Sequence, residues 1–285
     1  MTLIDNWKAR TYVMGILNVT PDSFSGDGLL AGGRPNPLRQ AADFLAAGAD
    51  ILDVGGESTR PGAEAVSETE ELARVLPVIR AIRREFPEAF ISIDTYRAAV
   101  ADAALDAGAR MVNDVRALRA DPEMAPLLAQ KKVPVVLMHN RLTPASAEVR
   151  DRLGGRYVGV PYQNLLEDVR HELLESVALA REAGVAKDRI ILDPGLGFGK
   201  TVAQSLELLN RLDEFKALGY PLLIGPSRKS FIGYTLDLPP DERIEGTAAA
   251  VVIGIVRGAN IVRVHDVPEI VRTARMADAI LGRAR

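Results

Sequence analysis

The sequence predicts an α/β fold: a single (β/α)8 TIM barrel, with its active site at the C-terminal ends of the strands. Three observations carry that expectation. Eight short apolar runs alternate with helical stretches along the chain. Most of the runs are continuously apolar, as parallel strands buried on both faces must be. The length of 285 residues suits a barrel, which needs roughly 250. No Pro/Ser-rich linker divides the chain, so residues 1–285 read as one domain. An open doubly wound sheet also alternates strand and helix; the count of eight units favours the barrel.

In chain order the strand candidates are Tyr12–Val19, Ile51–Val54, Phe90–Asp94, Arg110–Asn113, Val133–Met138, Arg189–Asp193, Pro221–Ile224 and Asn260–Val264. Between them, Glu68–Phe86 keeps Leu72, Val75, Leu76, Ile79 and Ile82 on one stripe, the mark of an amphipathic helix. Tyr162–Ala183 and Val202–Leu218 are spaced alike, and Gly184 and Gly219 stand where helices end. Gly48-Ala49, Gly108-Ala109, Gly184-Val185 and Gly258-Ala259 read as turns from helix into the next strand.

The composition narrows the function classes. With 35 Lys+Arg against 38 Asp+Glu the net charge is −3, which offers no footprint for nucleic acid or an anionic membrane. The chain has no cysteine, which excludes disulfides, thiolate metal sites and cysteine nucleophiles. Only His139, His171 and His265 are available as histidine ligands, so an all-protein transition-metal site is not expected. The opening residues carry Asp5, Lys8 and Arg10 and do not read as a secretory segment. The longest apolar run, Gly246–Val256, falls short of the about 20 residues that cross a bilayer. A cytoplasmic protein is expected.

A barrel builds its chemistry on the residues just past each strand. Here those are Asn18, Gly55–Gly62, Asp94-Thr95, Asn113-Asp114, His139-Asn140, Asp193-Pro194-Gly195, Ser227-Arg228-Lys229 and Arg263-Val264-His265-Asp266. One such residue is usually a cap or a turn former. A full ring of them around one mouth needs a ligand rich in hydrogen-bonding atoms, because buried polar groups without partners are costly. Arg60, Lys229, Arg263 and His265 suit a phosphate or pyrophosphate. Asp94, Asn113 and Asp193 suit the donor-rich edge of a planar heterocycle, whose faces Phe198 and Met138 could flank. The residues alone point to a heterocycle tethered to a phosphate group.

Two look-alikes are set aside. Pro194–Thr201 ends like a phosphate-binding P-loop, but proline stands where that motif needs glycine and removes a backbone N–H. His171-Glu172-Leu173-Leu174-Glu175 lacks the second histidine of a zinc-protease helix and reads as a solvated helix face.

Seven ordered stretches resemble the dihydropteroate synthase family. They are Met14–Ser25, Asp53–Gly62, Ser92–Thr95, Asn113–Val115, Asp193–Lys200, Ser227–Ser230 and Arg263–Val267. The resemblance covers nearly the whole chain and implies a pterin-binding barrel of folate biosynthesis. Such an enzyme joins a dihydropterin methyl pyrophosphate to p-aminobenzoate, releasing pyrophosphate. Carried over, Asp94, Asn113, Asp193 and Lys229 would hold the pterin, with Val115 and Met138 lining its slot. Thr59, Arg60, Arg263 and His265 would hold the pyrophosphate, and Asn18 would ligate Mg²⁺. Pro61, Phe198, Ser227 and Phe24 would wall the p-aminobenzoate site. Arg60, Asp94, Lys229, Arg263 and His265 would carry the catalysis, by a dissociative route in which pyrophosphate departs first. Homodimerisation is the habit of this family, and Gly246–Val256 is a candidate for the interface.

The loops Pro21–Gly33 and Ser58–Ala65 are long for strand-to-helix connections and are expected to close over the site. Three stretches depart from the family pattern, Pro144–Pro161 being the third. Ser25-Gly26-Asp27-Gly28-Leu29 is one glycine longer before its aspartate. Asn140-Arg141-Leu142-Thr143 replaces the usual Met-Gln-Gly or Met-Arg-Gly after His139, and the following Pro144–Pro161, with Arg150, Arg152 and Arg156, is expected to be a variable surface loop. The alternatives are a pterin barrel that passes a methyl group to a corrinoid protein, and a pterin-binding paralogue without turnover. The first has no use for Thr59-Arg60 or Arg263 and His265.

Overall fold

In the computed structural model, which describes residues 7, 9–19, 36–57, 66–142, 147–150, 152–157 and 160–283, eight parallel strands close into a barrel. The strands are β1 (Tyr12–Asn18), β2 (Ile51–Gly55), β3 (Ile91–Asp94), β4 (Met111–Asp114), β5 (Val135–Met138), β8 (Ile190–Asp193), β9 (Leu223–Ile224) and β10 (Ile261–Val264). A hairpin, β6 (Ala147–Arg150) and β7 (Gly154–Tyr157), stands outside the barrel. The helices are α1 (Pro37–Ala47), α2 (Glu68–Glu85), α3 (Ala98–Asp106), α4 (Met124–Lys131), α5 (Leu165–Glu182), α6 (Val202–Asn210), α7 (Ser230–Leu236), α8 (Ile244–Val256) and α9 (Val267–Ile280). Each of the eight strand candidates coincides with an observed strand.

The strands neighbour one another in the order β8-β5-β4-β3-β2-β1-β10-β9. The ring closes between β8 and β9 through a single parallel bridge, Leu192 to Leu222, where the Leu192 amide donates to the Pro221 carbonyl at 2.9 Å. Because side chains alternate along a strand, each strand divides its residues between two cores. Val13, Leu17, Leu52, Val54, Ile91, Ile93, Val112, Val135, Leu137, Leu192 and Val262 face the helices. Met14, Ile51, Met111, Val136, Ile191, Leu223 and Ile261 pack inside the barrel, and Trp7 closes that inner core, its ring edge-on to Tyr12 with centroids 5.1 Å apart.

This parity positions the site. Two residues beyond each inner apolar side chain, on the same face and one layer higher, stand Ile16, Asp53, Asn113, Met138, Asp193, Gly225 and Arg263. In β3 the same face carries Ser92 below and Asp94 above. Ser92 apart, the lower layer is hydrocarbon, whereas the upper layer gathers Asp53, Asp94, Asn113, Asp193 and Arg263.

Three sequence expectations need correction. The helix foreseen over Val202–Leu218 stops at Asn210 and resumes as a 3₁₀ segment over Leu212–Leu218. Arg211 breaks it at φ −110°, its side chain held by Glu207 and Glu214, and the tighter winding puts Leu212 and Phe215, three apart, on one buried face. The helix foreseen over Tyr162–Ala183 begins only at Leu165, because the side chain of Asn164 caps it. Pro144–Pro161 is not simply a surface loop: it contains the β6–β7 hairpin, whose tip residue Leu153 is buried. The tip docks on the connection after β9. Arg243 donates to the Leu153 carbonyl at 2.8 Å, Tyr234 to Gly154 at 3.3 Å, and Arg152 to the Asp237 carbonyl at 3.0 Å.

Candidate active site

A cavity of about 320 Å³ opens at the C-terminal end of the barrel. Asn18, Asp94, Asn113, Val115, Met138, Asp193, Phe198, Ser227, Lys229, Arg263 and His265 all line it. The expected site residues Phe24, Thr59, Arg60 and Pro61 lie outside the described residues, as do the loops Pro21–Gly33 and Ser58–Ala65.

Arg263 organises one wall. Its Nε donates to Asp53 Oδ2 at 2.6 Å and a terminal nitrogen donates to Asp94 Oδ2 at 2.5 Å, while Asn113 Nδ2 donates to the same Asp53 oxygen at 3.0 Å. Asp53 is fully buried, and its second oxygen meets no donor among the described residues. Burial pushes the Asp94 carboxyl up to about 7; Arg263 pulls it down, and the charge of Asp53 pushes it further up. The site thus holds two close carboxylates that share one guanidinium.

The opposite wall is built on the turn after β8. The Gly195 amide donates to Asp193 Oδ1 at 2.7 Å. Burial raises the Asp193 carboxyl, opposed first by Lys229 and then by that amide. Lys229 donates to the Leu196 carbonyl, and its ammonium stands 4.3 Å from the centre of the Phe198 ring. Burial lowers Lys229 to about 8, against the pull of Asp193. Between the walls, the His265 amide donates to Ser227 Oγ at 3.1 Å, and that hydroxyl lies 3.1 Å from His265 Nδ1.

Not every strand-end group serves the cavity. Asp114 turns away and accepts from the amides of Arg116 at 2.8 Å and Leu118 at 2.7 Å, bracing a turn in which Ala117 and Leu118 have positive φ. Asp266 pairs with Arg228 at 3.0 Å, and Asn140 holds the Val115 carbonyl at 3.0 Å. His139 is buried outside the cavity lining, its Nε2 3.1 Å from Glu172 Oε2. The solvated-face reading of His171–Glu175 therefore holds for His171, which is exposed, and fails for Glu172. Although burial pushes the Glu172 carboxyl up, His139 and Arg141 hold it well below the usual carboxylate range. Thr201 is an N-cap, forming a reciprocal capping box with Gln204.

The sequence reasoning missed four contributors. Asp53 was legible, being two residues beyond inner-core Ile51 and so on the same face. Glu57 lines the cavity with its carboxylate held by Arg97 at 2.8 Å. The hairpin tip Leu153–Gly155 and the buried Arg243 complete the rim, and they come from segments with no motif of their own.

A family model described as "Pterin binding enzyme" matches residues 14–265. A dihydropteroate synthase of Bacillus subtilis is 51% identical over 278 residues, covering 98% of this chain and 91% of the relative. The chain belongs to the dihydropteroate synthase family. Solved structures of that family superpose throughout. One from Clostridium difficile, determined in the presence of pteroic acid, is 48% identical with a TM-score of 0.83, covering 95% of this chain and 97% of that one. Another from Xanthomonas albilineans, with 4-aminobenzoic acid, is 39% identical with a TM-score of 0.83, covering 98% and 94%. As a member of the dihydropteroate synthase family the chain is a transferase, and no helix among its described residues is long and apolar enough to cross a membrane.

Proposed function

We propose that residues 1–285 form one pterin-binding unit that condenses (7,8-dihydropterin-6-yl)methyl diphosphate with p-aminobenzoate, giving 7,8-dihydropteroate and pyrophosphate. The observation that carries this reading is the division of the upper barrel layer: Asp94, Asn113 and Asp193 face a cavity that Lys229, Arg263 and His265 also enter. The carboxylates accept from the amino and ring N–H groups of the pterin, and Val115 and Met138 pack on its faces. Arg263 and His265, joined by Thr59 and Arg60, take the pyrophosphate. Phe198, Ser227, Pro61 and Phe24 receive the arylamine.

The bond broken joins oxygen to a methylene conjugated with an electron-rich ring, so pyrophosphate departs first and leaves a delocalised cation. Charge gathering on the leaving oxygens meets Arg60, Arg263 and His265, while Asp94 and Asp193 favour the positive ring. The weakly basic amine then attacks without a strong general base. Asn18, exposed at the end of β1 and lining the cavity, offers one amide oxygen. That fits Mg²⁺, which keeps most of its ligands as water and substrate phosphate. When bound, Mg²⁺ would neutralise charge on the pyrophosphate.

The apolar side chains of Ile253 and Val256 on α8 and of Met276 and Ile280 on α9 are exposed on two helices packed together, which supports a homodimer through these helices; the location we infer is the cytoplasm. The deciding experiment is pyrophosphate release with Mg²⁺, with and without p-aminobenzoate. Release that depends on p-aminobenzoate, with dihydropteroate formed, is expected; pterin binding without turnover would overturn the reading. Arg60→Ala should lose most turnover while keeping pterin affinity, and equal loss of both would undo the division of roles.

A further inference from the structure

The phosphate-loop look-alike Pro194–Thr201 leaves its lysine without a phosphate to hold. Lys200 is buried at 2% exposure and does not line the cavity. Its ammonium donates to the carbonyls of Gly195 at 2.9 Å and Phe198 at 3.1 Å, and lies 2.9 Å from His139 Nδ1. Three N–H bonds meet three acceptors, so the group is saturated as a cation; a neutral amine would leave one acceptor short. The protonation of His139 is arranged to match. Its Nε2 lies 3.1 Å from Glu172, outside linear hydrogen-bond geometry, and Glu172 is itself held by Arg141 Nε at 2.6 Å. A carboxylate on that side favours the proton on Nε2 and leaves Nδ1 as an acceptor for Lys200. The turn has no slack. Gly195 has φ +70°, and a Cβ there would lie 2.0 Å from the His139 carbonyl oxygen.

We propose that Lys200 is a positioning residue of the pterin site: it ties both ends of the 195–198 turn to the end of β5 and brings a positive charge towards Asp193 from the protein interior. The inference rests on the reading of Asp193 as a pterin acceptor. The clamped turn carries the amide that holds Asp193, the Leu196 carbonyl that holds Lys229, and the Phe198 wall. Burial pushes Asp193 up, and Lys229, the Gly195 amide, Lys200 and Arg263 push it down. Burial lowers Lys200 to about 7, Asp193 and Glu172 pull it back up, and Lys229 and Arg141 lower it further. Asp193 therefore sits between a lysine facing the cavity and a lysine facing the protein interior.

The test is equilibrium binding of the dihydropterin pyrophosphate across pH 5.5–8.5 to the full-length parent, Lys200→Met, His139→Leu and His139→Asn. Lys200→Met removes the charge, so Asp193 takes up a proton at higher pH. The loss of binding on acidification should begin at higher pH, with affinity at pH 6 roughly tenfold or more below the parent. KM for p-aminobenzoate should rise with it, through Phe198. His139→Leu removes one acceptor and should move the profile the same way, while His139→Asn, which keeps an acceptor near Nδ1, should restore it. A purely structural lysine would lower stability and leave the pH profile in place. A parent-like profile in Lys200→Met, or in His139→Leu should the methionine variant not fold, overturns the proposal. A parent that binds no pterin overturns instead the function on which it rests.

Discussion

Asp94→Asn should make the empty protein more stable and useless for pterin binding. Asp94 shares Arg263 with the fully buried Asp53, and burial holds its carboxyl at about 7 against an ordinary 3.8. The sign follows from proton linkage. The folded protein keeps a proton that the unfolded chain has released, so stability falls as pH rises from 3.8 through about 7, and the full cost is present above that. A displacement of that size corresponds to a ceiling of about 4 kcal/mol. The Asp94 side chain keeps 12% of its surface open to the cavity, and asparagine still accepts from Arg263 but without charge assistance. Halving the ceiling for these two effects leaves about 2 kcal/mol at pH 8.5 and about a third of that at pH 5. For a chain of this length the gain at pH 8.5 is about 4 °C in Tm. Calorimetric melting at both pH values, paired with titration calorimetry of the pterin, measures both halves. A lower Tm at pH 8.5, or the same gain at both pH values, would refute the picture of two carboxylates competing for one guanidinium.

Two further outcomes follow from the geometry. Gly195→Ala sets a Cβ against the His139 carbonyl in a left-handed backbone conformation, and should cost at least about 3 kcal/mol in urea unfolding; a loss under about 1 kcal/mol would mean that the turn can shift. Burial lowers Lys229 to about 8, so its cation is present below that pH and lost above it. The kcat/KM for the pterin substrate should therefore fall as pH rises through about 8, and that falling limb should be absent from Lys229→Met, whose activity is low throughout.

Much of this architecture is legible because barrel strands are simple objects. Val135 to Met138 and Ile190 to Leu192 are apolar on both faces, and only a strand walled by helices outside and side chains inside asks for that. The upper layer is legible by parity, since a polar residue two positions beyond an inner apolar one must face the mouth. What stays hidden depends on partners far apart in the chain. Nothing local tells that Lys200 turns inward: its near acceptors are backbone carbonyls, which every residue has, and its side-chain partner His139 lies 61 residues earlier. The same is true of Arg243, whose nitrogens hold the carbonyls of Leu153, Arg228 and Leu238. Among the described residues the β6–β7 hairpin pairs only with itself, and it is steadied by contacts made with the segment around Tyr234–Arg243, some 80 residues later. The stretch Leu212–Leu218 shows the converse limit: its spacing reads as a continuation of the helix before it, because period three and period four differ by too little over seven residues to separate a 3₁₀ segment from an α-helix.

The single bridge between β8 and β9 gives the barrel a seam. Elsewhere each strand is laced to its neighbours by several paired residues, whereas β9 is two residues long and meets β8 through Leu192 and Leu222 alone. The least costly local opening of such a ring parts there, and backbone amides at the seam should exchange with deuterated solvent ahead of those in β1 and β2. The loops that flank the seam carry Phe198 on one side and Lys229 on the other. A breath of the backbone along this line separates the ring from the ammonium that rests on it, so the stiffness of the seam and the shape of the cavity wall at Phe198 are one mechanical property.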